Sequence, residues 1–91
     1  MTFIYPAIIN QTENGYHARF PDLEMCEADG VTLDECLDEA RYAMEGWITA
    51  EFEEDEPVMP FISDEEDIDL KDGEFVRNIM VIYRFYDGWD E

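Results

Sequence analysis

Basic residues are scarce in this chain of 91 residues, which has 5 Lys and Arg residues against 25 Asp and Glu residues. The net charge of −20 argues against direct binding to nucleic acid, because such binding needs cations that displace counterions from the phosphates. A polybasic membrane anchor is excluded for the same reason. No apolar run approaches the ~18 residues of a transmembrane helix. The first residues also lack the basic and apolar regions of a signal peptide, so we expect a cytoplasmic protein.

Cysteine and histidine are also rare. The chain has two cysteines, Cys26 and Cys36, and one histidine, His17, which are too few for a zinc site built from these residues. In a reducing compartment we expect both cysteines to be free thiols that pack as small apolar residues. Neither cysteine has a neighbour that suggests nucleophilic catalysis. We expect His17 to lie at the surface or in an interface.

The length and composition fit one small globular domain, covering residues 1–91. Apolar residues make up 46% of the chain and charged residues 33%, which is a globular rather than a disordered composition. A chain of this size buries only about two-thirds of its unfolded surface. The core is therefore modest, and a partner could add useful burial.

Four segments have the pattern of β-strands. The first, Phe3–Ile9, is apolar and rich in β-branched and aromatic residues, and Asn14-Gly15 after it favours a reversal. Apolar and polar residues alternate in Tyr16–Phe20 and Met25–Val31, which predicts strands with one buried face. The last strand, Phe75–Tyr86, is apolar on both faces. That pattern predicts a strand inside the sheet or one covered by another subunit, and we expect a homodimer.

A helix is predicted to begin after Thr32. Thr32 and Glu35 have the spacing of a capping box, in which each side chain satisfies a free backbone N–H of the first turn. We expect the helix to end by Glu53–Glu56, before Pro57. An apolar stripe follows helical spacing along it and consists of Leu33, Cys36, Leu37, Ala40, Met44, Trp47 and Ile48.

These elements give the order β-β-β-α-β, an α+β fold with a single sheet and one helix packed on one face. The first three strands are expected to form an antiparallel meander. If the fourth strand pairs parallel to its neighbour, the helical crossover should be right-handed.

An acidic loop is predicted at about residues 53–74, between the helix and the last strand. Residues 51–74 contain 12 acidic residues and one basic residue, Lys71. We expect a solvated loop that is anchored to the core by Phe61 and Ile62. Asp67, Asp69 and the following residues approach the pattern of a calcium-binding loop, but Lys71 occupies the third ligand position. Weak cation binding is compatible with this composition, but the sequence predicts no dedicated metal site and no cofactor.

Several short motifs, in this order and spacing, resemble the HicB antitoxin family. The resemblance covers about residues 3–50. Glu24-Met25 stands where the family usually has Pro-Gly, and Cys36 stands where it usually has Ala. The motifs are Tyr5-Pro6-Ala7, Asn14-Gly15-Tyr16, Phe20-Pro21-Asp22-Leu23, and then Cys26, Gly30, Thr32, Glu35 and Ala40.

The resemblance implies a partly degraded ribonuclease-H-like (HicB-like) domain without nuclease activity. It further implies an antitoxin that binds HicA, a small basic RNA-cleaving toxin, and covers its active site and RNA-binding surface. Many relatives continue into a DNA-binding domain, whereas this sequence ends after the fourth strand. We therefore do not expect operator binding by this chain itself.

Two other functions are alternatives to this one. An orphan HicB-like domain could act as an acidic decoy or regulator of another nucleic-acid-binding protein, in a phage for example. A residual nuclease would need several converging carboxylates to hold two metal ions. The first strand, Phe3–Ile9, contains no acidic residue, and Asp22 alone cannot hold two metals. We therefore predict a protein that is not an enzyme.

The excess of carboxylates points to a basic protein partner, because it attracts such a partner from a distance and speeds encounter. Acids from Asp64 to Asp72 extend the same surface. The alternative is that these acids only keep the protein soluble. Trp89, near the C-terminus, is a further candidate contact. The predicted partner-binding residues are Glu51, Glu53, Glu54, Asp55, Glu56 and Trp89.

Overall fold

The computed structural model describes residues 2–83 and contains one four-stranded sheet and one long helix. The predicted element order and the α+β class are confirmed. Within these residues no helix is long and apolar enough to cross a membrane. The elements are β1 (Thr2–Thr12), β2 (Gly15–Arg19), β3 (Glu27–Gly30), α1 (Leu33–Phe52), a short 3-10 turn (Glu65–Asp67) and β4 (Phe75–Ile82).

The sheet has the strand order β3-β2-β1-β4, and all neighbouring strands are antiparallel. The predicted meander of the first three strands is confirmed. β4 pairs antiparallel with β1, with Tyr5 opposite Ile79, so the conditional parallel crossover does not occur. β4 is an edge strand, and the prediction that it could lie inside the sheet is therefore wrong. The predicted end of this strand, residues 84–86, lies outside the described residues.

Turn chemistry explains where the strands begin and end. β1 continues to Thr12 because the reversal at Asn14-Gly15 places Thr12 opposite Gly15 in the ladder. β3 begins at Glu27 rather than at Met25, because Met25 has a φ of 64° and belongs to a turn. One backbone hydrogen bond joins Phe20 and Cys26 across this turn, with the Phe20 nitrogen 3.0 Å from the Cys26 oxygen.

The core lies between one face of the sheet and α1. The β1 residues Tyr5, Ala7 and Ile9 alternate on this face and are fully buried. The predicted apolar stripe of the helix is confirmed, with Leu33, Leu37 and Trp47 partly buried at its borders. The helical residues that are completely buried are Cys36, Ala40, Met44 and Ile48.

The helix start is capped as the sequence predicts, with one shift. The Thr32 hydroxyl accepts a hydrogen bond from the Glu35 N–H at 3.1 Å. The Glu35 carboxylate accepts from the Val31 N–H at 3.2 Å, one residue before the usual capping-box partner. Gly30 precedes this cap, and a Cβ there would lie 2.3 Å from the Cys36 nitrogen, so the approach of β3 to α1 requires glycine.

Candidate partner-binding site

The C-terminal end of α1 carries a concentration of negative charge. Glu53 caps the helix, and its N–H donates to the Ala50 oxygen at 3.2 Å. The last turn contains no basic residue. The negative end of the helix dipole therefore adds to the charge of the carboxylates that follow it.

Five of the six predicted site residues surround one open concavity at this helix end, which we call the acidic concavity. Its volume is about 670 Å³, and its lining residues are Glu51, Glu53, Glu54, Asp55 and Glu56. The Glu51 carboxylate also accepts a hydrogen bond from the Val58 N–H at 2.9 Å, which fixes the path of the chain after the helix. The sixth predicted residue, Trp89, lies outside the described residues.

A second acidic surface lies farther along the acidic loop, around the 3-10 turn at Glu65–Asp67. Asp64, Glu65 and Glu66 line an open concavity of about 530 Å³ there. No group of three or more His, Cys, Asp or Glu residues within positions 2–83 has the arrangement of a metal site. Carboxylates arranged in this way can attract basic side chains of a protein partner.

The acidic loop is anchored to the core by polar contacts. The Asp22 carboxylate accepts from both the N–H and the hydroxyl of Ser63, at 2.8 and 2.6 Å. The Tyr5 hydroxyl donates to the Pro60 oxygen at 2.6 Å. Both anchors join residues that are far apart in sequence, so the loop folds back along the domain.

The predicted anchoring by Phe61 and Ile62 is wrong. Phe61 is 88% exposed and Ile62 is 48% exposed. The neighbouring Met59 packs against the core instead, and the polar contacts of Pro60 and Ser63 hold the backbone on either side. Phe61 is therefore an exposed aromatic side chain within the acidic loop. The sequence Met59-Pro60-Phe61-Ile62 is apolar throughout, so its pattern does not show which side chain faces solvent.

An ion pair fixes the end of the acidic loop just before β4 begins. Arg19 Nη1 lies 2.9 Å from Glu74 Oε2, and the Glu74 side chain is only 8% exposed. The other Glu74 oxygen accepts from the Lys71 N–H at 2.8 Å. The hydrogen bond from Arg19 and the one from Lys71 lower the pKa of Glu74, so this carboxylate stays charged at neutral pH.

His17 lies on the face of the sheet opposite α1, between two carboxylates of β3. Its Nε2 is 3.1 Å from Glu27 Oε1, and its Nδ1 is 2.8 Å from Asp29 Oδ1. These cross-strand contacts are made within the sheet. The predicted surface position is confirmed, since the side chain is 25% exposed.

The two cysteines are free and buried, as expected. Burial raises the pKa of the Cys26 thiol to about 11, with a further contribution from Glu27. Burial and the charge of Asp29 also raise the pKa of Cys36. Both side chains therefore remain neutral thiols at physiological pH, which disfavours nucleophilic chemistry. Cys26 precedes β3 rather than lying within it, and Cys36 lies under the helix.

Comparison with protein-family models and with curated protein sequences gives no match. Solved structures do match. A structure described as the HicA3 and HicB3 toxin-antitoxin complex has 25% identity and a TM-score of 0.68, covering 85% of this chain and 95% of that chain. The N-terminal domain of the Burkholderia pseudomallei antitoxin HicB has 21% identity and a TM-score of 0.74, with 89% and 100% coverage.

A third structure, the antitoxin HicB3, has 29% identity and a TM-score of 0.68. The match covers 85% of this chain and 60% of that chain, so this chain spans somewhat less than two-thirds of the length of that protein. The motifs and the fold thus agree on one family. The chain has the fold of a HicB antitoxin N-terminal domain, and the resemblance predicted from its sequence motifs is confirmed by its structural neighbours.

Proposed function

We propose that this chain is a HicB-like antitoxin that is not an enzyme and that neutralises a small, basic, HicA-like RNA-cleaving toxin. The observation that carries the proposal is the likeness to an antitoxin solved in complex with its toxin. The acidic surface supports the proposal independently, because carboxylates are complementary to the basic surface that a protein needs to bind RNA. The comparisons do not favour the alternative of an acidic decoy for another protein.

In the proposed mechanism the acidic concavity and the acids around the 3-10 turn compete with RNA for the toxin's basic surface. The carboxylates attract the toxin from a distance and guide its approach. Phe61, exposed in the same acidic loop, supplies an apolar contact that forms once the two proteins meet. The bound chain then covers the toxin's active site, so that RNA cannot enter.

The first test is co-expression with the small basic reading frame next to this gene. The neighbour alone should arrest growth, and this chain should restore growth and purify with it. A neighbour that is harmless, or that does not bind, would contradict the proposal.

The second test asks whether the acidic concavity guides binding. Changing Glu53, Glu54, Asp55 and Glu56 to the corresponding amides should slow association by about tenfold at low salt and flatten its salt dependence. The matched control changes the same net charge on the exposed face of α1. Equal slowing by both variants would show that only the total charge matters. The control residues are Asp34, Asp38, Glu39 and Glu45.

The third test concerns Phe61. Phe61→Ala should speed dissociation of the complex about fivefold or more, because it removes an aromatic contact. Tyr42→Ala is the control, since Tyr42 is also exposed, at 63%, but lies on α1 away from the acidic loop. Unchanged dissociation of the Phe61 variant would remove this residue from the interface.

A further inference from the structure

The loop between β2 and β3 has a backbone that its own hydrogen bonds define. The Leu23 N–H donates to the Phe20 oxygen at 3.2 Å, and the Cys26 N–H donates to the Leu23 oxygen at 3.1 Å. The side chains of these three residues are buried, and Leu23 is completely inaccessible to solvent. Two consecutive turns and an apolar anchor therefore place Glu24 and Met25 at an exposed tip of the loop.

Met25 is the residue at this tip that the fold itself does not explain. Its φ of 64° lies in the left-handed region, which favours glycine, and no other non-glycine residue within residues 2–83 has a positive φ. Its side chain is 91% exposed, so it buries almost no apolar surface within the chain. Strained backbone of this kind is typical of sites that bind a partner or a ligand. The side chain of Met25 is therefore a candidate contact.

Hydrogen bonds connect this loop to two other parts of the domain. Trp47 Nε1 donates to the Glu24 oxygen at 3.0 Å, which joins the tip to α1. The Asp22 carboxylate accepts from Ser63, which joins the same loop to the acidic loop. Movement of the tip would break one of these contacts. The Met25 side chain is therefore presented to a partner in a preorganised position.

The contact between Asp22 and Ser63 also limits the distance between Met25 and Phe61, the two most exposed large apolar side chains within residues 2–83. Met25 is three residues from Asp22, and Phe61 is two residues from Ser63. The Cα atoms of Met25 and Phe61 are therefore at most about 25 Å apart. A standard interface covers about 800 Å² of each partner, which corresponds to a patch about 30 Å across. Met25 and Phe61 therefore both fit within one interface of ordinary size.

The charges in these two segments indicate the kind of partner. Residues 20–26 contain two acids and no basic residue, and residues 58–67 contain four acids and no basic residue. A second copy of this chain would bring like charges together here, whereas a basic protein would meet carboxylates of opposite charge. Methionine is unbranched and flexible, so it fills an irregular recess well. The partner that fits is a basic protein with an apolar recess in its surface.

We propose that Met25 is a specificity-determining contact of the toxin complex, and that its side chain enters an apolar recess on the basic partner. This role rests on the proposed function and involves a part of the surface outside the acidic concavity. Charge speeds the approach of any basic protein, whereas an apolar side chain in a fixed position accepts only a partner with a matching recess. Met25 therefore determines which basic protein stays bound.

The test compares three variants of the full chain, Met25→Gly, Met25→Ala and Met25→Leu, in complex with the basic protein encoded next to this gene. Surface plasmon resonance gives the dissociation rates. Met25→Gly and Met25→Ala should both dissociate at least about tenfold faster, because both remove the side chain that fills the recess. Met25→Leu keeps a similar apolar volume and should dissociate within about threefold of the wild-type rate. Lysozyme, an unrelated basic protein, should bind all the variants equally at low salt, because only charge attracts it.

The stability of the free chain separates a direct contact from damage to the fold. Met25→Gly removes the strain of the left-handed turn and should not destabilise the free chain in urea, yet its complex should dissociate faster. Loss of a merely structural residue would weaken the fold and the complex together. The matched control is Val31→Ala, since Val31 is also exposed but lies before the N-terminus of α1, at the other end of the helix from the acidic concavity. Equal acceleration by Val31→Ala would overturn the specific role of Met25.

Two negative results have different meanings. If the wild-type chain does not bind the neighbouring basic protein, the proposed function fails, and the role of Met25 fails with it. If the wild-type chain binds and Met25→Gly dissociates at the wild-type rate, the proposed function stands. That second result would overturn only the role of Met25 in the complex.

Discussion

The core and the acidic loop are held in place by different forces. In the core, side chains such as Ile9, Met44 and Ile48 are completely buried between the sheet and α1. In the acidic loop, Phe61 and Val58 remain exposed, and a few hydrogen bonds and one ion pair determine the path of the backbone. The core therefore depends on apolar burial, whereas the conformation of the loop depends on the charge state of its anchors.

The two regions should differ most in how much stability is lost when one apolar side chain is shortened to alanine. Ile48→Ala should lower the free energy of unfolding by about 2–5 kcal/mol, because it leaves a cavity in the core. Val58→Ala in the acidic loop should change it by less than about 0.5 kcal/mol, since Val58 is 71% exposed. Urea unfolding of both variants measures the contrast, and equal losses would show that the loop is part of the core.

The next effect concerns the anchor between Asp22 and Ser63. Asp22→Ala removes both hydrogen bonds to Ser63 and should cost about 1–3 kcal/mol. Amide exchange should quicken at Ser63 but not in α1, because the loop detaches while the core stays folded. Asp64→Ala is the control, because it removes the same charge but leaves the hydrogen bonds between Asp22 and Ser63 in place. Similar amide exchange at Ser63 in both variants would contradict this role for Asp22.

A smaller effect of opposite sign is expected at Met25. Its φ of 64° is a conformation that favours glycine, and its side chain is 91% exposed. Met25→Gly should therefore raise the free energy of unfolding by about 1 kcal/mol, measured by urea denaturation. A loss of stability would mean that the greater freedom of glycine in the unfolded chain outweighs the relief of strain.

The smallest effect is the pH dependence of the loop's last anchor. The pKa of Glu74 is lowered in the folded chain from its ordinary value of 4.5, so the ion pair with Arg19 stabilises the fold above that pH. The stabilisation is lost as the pH falls through the lowered pKa of the folded chain. The stability difference between the wild-type protein and Glu74→Gln should therefore be largest at neutral pH and vanish in acid. A difference that does not vary with pH would exclude this ion pair as its cause.

Local patterns predicted the core but not the route of the acidic loop. The helix cap at Thr32 and the alternation in β1 involve residues a few positions apart, and both are present, although the Glu35 carboxylate accepts from Val31 rather than from Thr32. The clustering of residues 51–56 was also predictable, because these acids are consecutive at a helix end. The contact between Asp22 and Ser63 joins positions 41 residues apart and leaves no local pattern.

The position of β4 shows a second limit of sequence patterns. Apolar residues on both faces are typical of an interior strand, yet β4 lies at the edge. Its buried face is covered by α1, whereas Met80 and Ile82 on the other face remain exposed. The hydrophobic pattern could not distinguish burial by the same chain from a surface open to a partner. The sequence likewise could not show that Phe61 faces solvent.

The pairing of β1 with β4 also sets the order in which the chain can fold. The hairpin of β1 and β2 needs only a short turn. In contrast, Tyr5 can pair with Ile79 only after the chain between them, which includes the helix and the acidic loop, has brought its two ends together. Contacts of such large sequence separation form late and slow the folding of small domains. During synthesis, one side of β1 stays without a partner until residues 75–82 have emerged from the ribosome. The newly made chain therefore leaves β1, whose residues Tyr5 to Ile9 are buried in the folded domain, incompletely paired for longer than β2 or β3.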